Sequence, residues 1–172
     1  PKITPVINNK NIEQVNSFKF LGCTMSIFKE DDIRKKTEKF NLINGTIKRT
    51  LKNKVRTETL TKFYKVMSVP LLTYGSEAWV LNKNIESRIQ SAEMKFLRAA
   101  AGYTMEDRRR NTEIREELNV KDVNTTIRNY RQQWKDHLQR MSHERIPKII
   151  HRYRPRGYRD VGRPRTRWND QD

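Results

Sequence analysis

The stretch from Phe63 to Tyr103, FYKVMSVPLLTYGSEAWVLNKNIESRIQSAEMKFLRAAAGY, limits what this chain can fold into, because it is the part most able to build a core. Met67, Val69, Leu71, Leu72, Tyr74, Ala78, Trp79, Val80 and Leu81 make a dense apolar block, with Tyr74 and Trp79 expected at its centre. Ile85, Ile89, Ala92, Phe96 and Ala100 then recur at helical spacing, so one face of a helix from about Lys83 to Ala101 is apolar. Gly102 follows as a natural helix stop, since a left-handed terminal residue costs glycine least. Pro70 lacks an N–H and predicts a kink or an end in the helix that starts near Thr57 with Leu60, Phe63, Tyr64 and Met67 facing inward.

The rest of the chain is polar. Only 34% of its 172 residues are hydrophobic, 33% are charged and the mean hydropathy is -0.97. A compact domain of this length buries roughly two-thirds of its unfolded surface. The expected architecture is therefore mainly α, a thin-cored helical bundle. Three parts are expected: a β-hairpin over 1–28, a helical domain over 29–146, and a basic, partly disordered C-terminal tail over 147–172. Lys and Arg number 37 against 20 Asp and Glu, a net charge of +17 and a pI near 10.2. Such an excess points to a polyanionic partner, RNA or DNA before an anionic membrane. No apolar run is long enough to span a bilayer. The opening PKITPVINNK has neither a signal pattern nor a starting Met and reads as the start of a fragment. Cys23 stands alone, which excludes an internal disulfide and fits an intracellular setting.

Along the chain, ITPVI and VNSFKFLGCTM flank the polar turn Asn8-Asn9-Lys10-Asn11 and predict one hairpin. Asp31 or Asp32 is expected to cap a helix with Ile33, Phe40, Ile43, Ile47 and Leu51 on one side, and Gly45 marks a place where it can break. Thr104 with Asp107 has capping-box spacing, a short helix carries Ile114 and Leu118, and Asp122 caps a longer one whose latest end is Pro147.

No catalytic constellation stands out. The acidic pairs Asp31-Asp32 and Glu116-Glu117 read as helix caps or a solvated face, and His137, His143 and His151 are too far apart for one helical metal face. The chain alone is not expected to be an enzyme, and neither a metal nor a cofactor is expected in it. Binding features are stronger. Arg34, Lys35, Lys36, Lys39, Lys48, Arg49, Lys52 and Lys54 share the outer side of the first helix, and Arg108, Arg109 and Arg110 form a run. Arg140, Arg152, Arg154, Arg156, Arg163, Arg165 and Arg167 continue it toward the C-terminus. Each such cation neutralises a phosphate and releases counterions. Tyr153, Tyr158 and Trp168 alternate with those arginines, a pattern suited to stacking on unpaired bases; the bland alternative is that Trp168 tucks against a neighbouring domain. Gly162-Arg163-Pro164-Arg165 has the centre of a minor-groove hook, with Val161 where a further arginine would complete it.

Phe18-Lys19-Phe20-Leu21-Gly22, Leu72-Thr73-Tyr74-Gly75-Ser76-Glu77-Ala78-Trp79, Phe96-Leu97-Arg98 leading to Gly102-Tyr103, Trp134 with His137 and Arg140-Met141, and Gly162-Arg163-Pro164 with Arg167-Trp168 occur in this order. Together they resemble the C-terminal, thumb and post-thumb region of reverse transcriptases from non-LTR (LINE-type) retrotransposons. The resemblance implies that the hairpin closes the palm beside the primer end, with Lys19, Phe20, Leu21 and Gly22 positioning the primer. It implies that the helices from Asp31 onward form a thumb, and that the polymerase aspartates and their Mg²⁺ belong to an upstream palm domain of the same polyprotein. The implied partners are template–primer and element RNA, in a ribonucleoprotein of nucleus and cytoplasm. Asp136 stands where the family pattern Trp-x-Gly-His has glycine, and no Cys-His knuckle follows Met141. Two other readings stay open, a free-standing nucleic-acid binder and a protein–protein docking module.

Overall fold

The computed structural model describes residues 5–154 together with 161, 162 and 168. The expected contacts of Arg156, Arg163, Arg165 and Arg167, of Tyr158 and of the Arg163-Pro164-Arg165 hook lie outside the described residues.

The protein is mainly α-helical, and among the described residues its short strands all lie in the N-terminal part. The single expected hairpin is two. Strands β1 (Val6–Ile7) and β2 (Lys10–Asn11) pair across Asn8 and Asn9, at φ 50° and 58°. Strands β3 (Ser17–Phe20) and β4 (Cys23–Ser26) pair across Leu21 and Gly22, at φ 46° and 82°. Two consecutive positive-φ residues make the tight turn whose twist matches antiparallel strands. Asn and Gly supply it where expected, but Leu21 enters this region against its side chain's preference. The FKFLG segment is thus a hairpin of its own, with Lys19-Phe20-Leu21-Gly22 at its tip.

Helix α1 (Asp31–Leu51) runs through Gly45 without a break, because Asn44 and Ile47 beside it are buried against the core. Helix α2 (Thr57–Phe63) leads into a π-helical turn at Tyr64–Ser68 and then helix α3 (Val69–Thr73). Pro70 falls in the first turn of α3, where a missing N–H is harmless, and the widened turn before it absorbs the mismatch that a regular helix would suffer. Of the residues expected to face inward, Leu60 and Tyr64 are buried, while Phe63 and Met67 are partly exposed around this turn. Helix α4 (Lys83–Ala101) has the expected bounds. The Asn82 side chain accepts from Ile85 N–H at 2.8 Å, and Gly102 ends the helix at φ 84°.

Ile33, Phe40 and Ile47 of α1 meet Ile85, Ile89 and Phe96 of α4 around Tyr64, which is fully buried. The Tyr64 ring stacks on Phe96 at 5.2 Å and meets the edge of Phe40 at 6.0 Å. Helices α5 (Asn111–Glu117) and α6 (Val123–Arg140) extend this core with Ile114, Leu118, Val123 and Ile127. Thr104 and Asp107 do bond as the spacing predicts, Thr104 N–H donating to the Asp107 carboxylate at 2.6 Å, but they close a turn ahead of α5. Asp122 caps α6 as expected.

After Met141 the chain departs from the expected tail. Pro147 ends nothing; it sits in the first turn of helix α7 (Ile146–Arg152), which crosses the expected boundary at 146/147. Lys148 is buried here and donates to the carbonyls of Gln139 (2.6 Å) and Met141 (2.7 Å), partnering oxygens at the end of α6.

Candidate nucleic-acid interface

The second hairpin is fastened to the helices through Asp32, in the first turn of α1. Its carboxylate accepts from Thr24 N–H of β4 at 2.7 Å and from the Trp79 indole N–H at 2.8 Å, and pairs with Lys36 at 2.9 Å. Burial opposes ionisation of Asp32, but the hydrogen bonds from Thr24, Lys36 and Trp79 outweigh it and hold the carboxyl below its usual range. Lys36, expected on the outer basic side of α1, is instead buried, because Asp32 and the Tyr74 carbonyl draw its ammonium inward; it also lies 3.3 Å from Cys23 Sγ. Its ammonium stands over the rings of Tyr74 and Trp79, at 5.4 and 5.5 Å. Asp31 accepts from Ser26 Oγ at 2.7 Å. The pair expected to cap α1 is thus spent on tertiary bonds; the N-cap position is Glu30, without a side-chain cap bond.

The YGSEAW loop forms the opposite wall. Tyr74 was expected in the core, yet it is 57% exposed, because its hydroxyl reaches out to donate to the Leu21 carbonyl at 3.0 Å. Trp79 is buried as expected. Gly75, at φ 69°, lies so close to the hairpin that a Cβ there would sit 2.6 Å from Cys23 Sγ. Glycine at this position allows both the turn and the approach. FLG and YGSEAW, fifty residues apart in sequence, are therefore the two halves of one joint.

Between this hairpin and α1 lies a groove of about 600 Å³, lined by Lys19, Gly22, Lys35 and Lys39 among others. Its acidic groups are already engaged. Asp32 holds Lys36, and Glu38 pairs with Arg34 at 3.0 Å, leaving Lys19, Lys35 and Lys39 to set its charge. Lys35 lies 3.5 Å from Thr24 Oγ1, across from the β4 strand. Phe20 and Leu21 are exposed on the hairpin but are not among the groove's lining residues. Farther along α1, Lys48, Arg49 and Lys52 gather with Lys54 around a second, shallow depression of about 580 Å³.

Of the other expected phosphate contacts, Arg109 and Arg152 are committed elsewhere. Arg109 bridges Glu113 (3.1 Å) and Glu117 (3.7 Å) over the ring of Tyr103, and Arg152 meets the His143 ring nitrogen at 2.6 Å. Arg108 and Arg110 flank Arg109 on the surface, and Arg140 and Arg154 are exposed. Trp168 follows the alternative weighed above and tucks onto the chain itself. Its N–H donates to the Glu77 carbonyl at 2.7 Å, while Arg131 (4.8 Å) and Lys135 (5.5 Å) lie over its ring.

A second polar network was missed from sequence. Glu93 on α4 is fully buried and receives Arg115 Nε (3.1 Å), Arg115 Nη2 (2.5 Å), the Tyr64 hydroxyl (3.0 Å) and Val123 N–H (3.2 Å). Asp122 also accepts from Arg115, at 3.1 Å. Burial raises the Glu93 pKa, against the opposing pull of Arg115 and Tyr64. One signal was available: Glu93 falls next to Ala92 on the apolar stripe of α4. Every donor is intramolecular, and the network joins α4, α5 and α6. Among the described residues no group of three or more His, Cys, Asp and Glu is arranged to hold a metal ion, and no helix is long and apolar enough to cross a membrane.

No protein-family model matches the chain, and no solved structure does. Over 107 residues it is 31% identical to an uncharacterized transposon-derived protein of Caenorhabditis elegans, a match covering 59% of this chain and 38% of that protein. The chain thus spans well under half the length of the curated relative it matches. This similarity supports a transposon-related origin.

Proposed function

We propose that the chain is a non-catalytic thumb-and-tail portion of a retrotransposon reverse transcriptase, gripping template–primer and element RNA by charge. The observation that carries this reading is the groove beside α1, where Lys19 and Gly22 of the hairpin tip meet Lys35 and Lys39. Primer positioning falls to that tip. Polymerisation and its Mg²⁺ are assigned to a palm domain outside this chain, with the whole working as a ribonucleoprotein in nucleus and cytoplasm. The transposon-derived relative supports the origin, and the residue pattern FKFLG…YGSEAW supplies the finer assignment.

The test is duplex binding as a function of salt. Each neutralised phosphate adds about 0.9 to the slope of log affinity against log salt on B-form DNA. The double substitution Lys35→Ala/Lys39→Ala is expected to lower that slope by about 2 and to leave the melting temperature unchanged, since both side chains are exposed. An unaltered slope refutes the groove as the binding surface.

A second reading has its own observation. Phe18, Phe20, Leu21, Met25, Ile27 and Phe28 are each more than half exposed on and beside a two-stranded ladder. Isolated hairpins are marginal in water. This surface suits docking against another protein layer, and the upstream palm is the partner we assign to it.

A further inference from the structure

Helices α6 and α7 and the Trp168 indole border an open apolar pocket of about 490 Å³, on residues that the groove does not use. Trp134, Leu138, Ile146, Ile150, His151 and Trp168 form its walls. Two indoles and an imidazole therefore line a space within the roughly 300–1,000 Å³ typical of small-ligand sites. Trp134 is 36% exposed and lies 5.3 Å from the His137 ring; His151 meets Trp168 edge-on at 5.7 Å. Arg140, Arg145, Arg152 and Arg154 are exposed on and beside these two helices, whereas Arg131 and Lys148 are buried and bonded within the chain.

We infer that this pocket receives an unpaired base of single-stranded RNA or DNA, flat against the aromatic wall, with the flanking phosphates held by the exposed arginines on and beside α6 and α7. Every base has a π-face, so such stacking tolerates sequence, and the charge around it selects a polyanion over an apolar peptide. Duplex bases are already stacked on each other and cannot enter. The inference rests on the nucleic-acid reading above but adds a second site with a different ligand, a single strand where the groove takes a duplex.

The experiment titrates the full chain with a short single-stranded RNA, with the same RNA carrying abasic positions, and with a duplex of equal length. Losing one base stack corresponds to about 5- to 150-fold in affinity. Trp134→Ala is expected to weaken single-strand binding by that range, Trp134→Phe to retain most of it, and both to leave duplex binding unchanged. The abasic RNA is expected to show the same loss on the unaltered protein, a readout independent of how any variant folds. The inference is overturned if abasic and intact RNA bind equally, or if Trp134→Ala weakens duplex and single strand alike. It is also overturned if the pocket closes by self-association that Trp134→Ala abolishes, which sedimentation would reveal. Duplex binding that persists through these failures leaves the groove standing; absence of all nucleic-acid binding removes both.

Discussion

Replacing Asp32 by Asn tests whether the joint between hairpin and helices is electrostatic. The change keeps the size of the side chain and one oxygen, so Thr24 N–H can retain its 2.7 Å acceptor. The other oxygen becomes an NH₂ facing two donors, the Trp79 indole N–H and the Lys36 ammonium. Lys36 and Asp32 are only 7% and 13% exposed, so water cannot replace what is lost. Removing one partner of a buried pair costs about 3–5 kcal/mol, and the residual exposure of Asp32 argues for the lower end, about 3 kcal/mol. For a chain of this length that is a drop of roughly 6–12 °C in melting temperature, read by circular dichroism and by urea titration. In a Lys36→Met background the same change is expected to cost at least about 1 kcal/mol less, since no buried cation remains to be stranded. The folded-state pKa of Asp32 is depressed, so its contribution is complete above the unfolded carboxyl range near 3.8 and disappears as pH falls through the lower folded value. Asp32→Asn should flatten that acid limb. A cost below about 1 kcal/mol, or the same cost in both backgrounds, would refute the reasoning.

Two further outcomes follow from the packing. Gly75→Ala and Gly102→Ala both force alanine into left-handed backbone, worth about 1–2 kcal/mol each. Only at Gly75 does the new methyl also collide with Cys23 Sγ, so it should cost about 1–3 kcal/mol more, and Cys23→Ala should recover part of the excess in urea melts. For Glu93 the folded pKa is raised, so the folded state binds its proton more tightly than the unfolded chain. Stability is then expected to fall as pH rises from 4.5 through the raised value. Glu93→Gln lacks that fall, so its deficit against the unaltered protein should narrow with rising pH; a deficit that widens would mean that Arg115 outweighs burial.

Local signals carried the helices. The four-and-three spacing of Ile85 to Ala100 and the stop at Gly102 gave the bounds of α4, because periodicity and capping are written within a few positions of where they act; the Asn82 cap is a further local signal that went unread. Asp122 ahead of α6 was legible for the same reason. Failures came where a residue had two uses. Asp31 and Asp32 have the right chemistry for a cap, but Ser26, Thr24, Trp79 and Lys36 offered partners that no spacing rule reveals. Lys148 read as tail charge until α7 folded back onto the last carbonyls of α6.

The candidate site divides in the same way. Its cations were visible as a basic face on α1, yet which of them share a groove depends on where the second hairpin lands. Sequence alone determined that this protein would be a thin-cored helical chain with a large positive surplus, because apolar period and charge are local properties. Tertiary structure decided that FKFLG would meet YGSEAW through Asp32 and Lys36, and that Trp168 would seat beside Trp134. Trp134 and Trp168, Asp32 and Trp79, and Leu21 and Tyr74 are 34, 47 and 53 positions apart, and choosing among such partners depends on the geometry of the whole packed core.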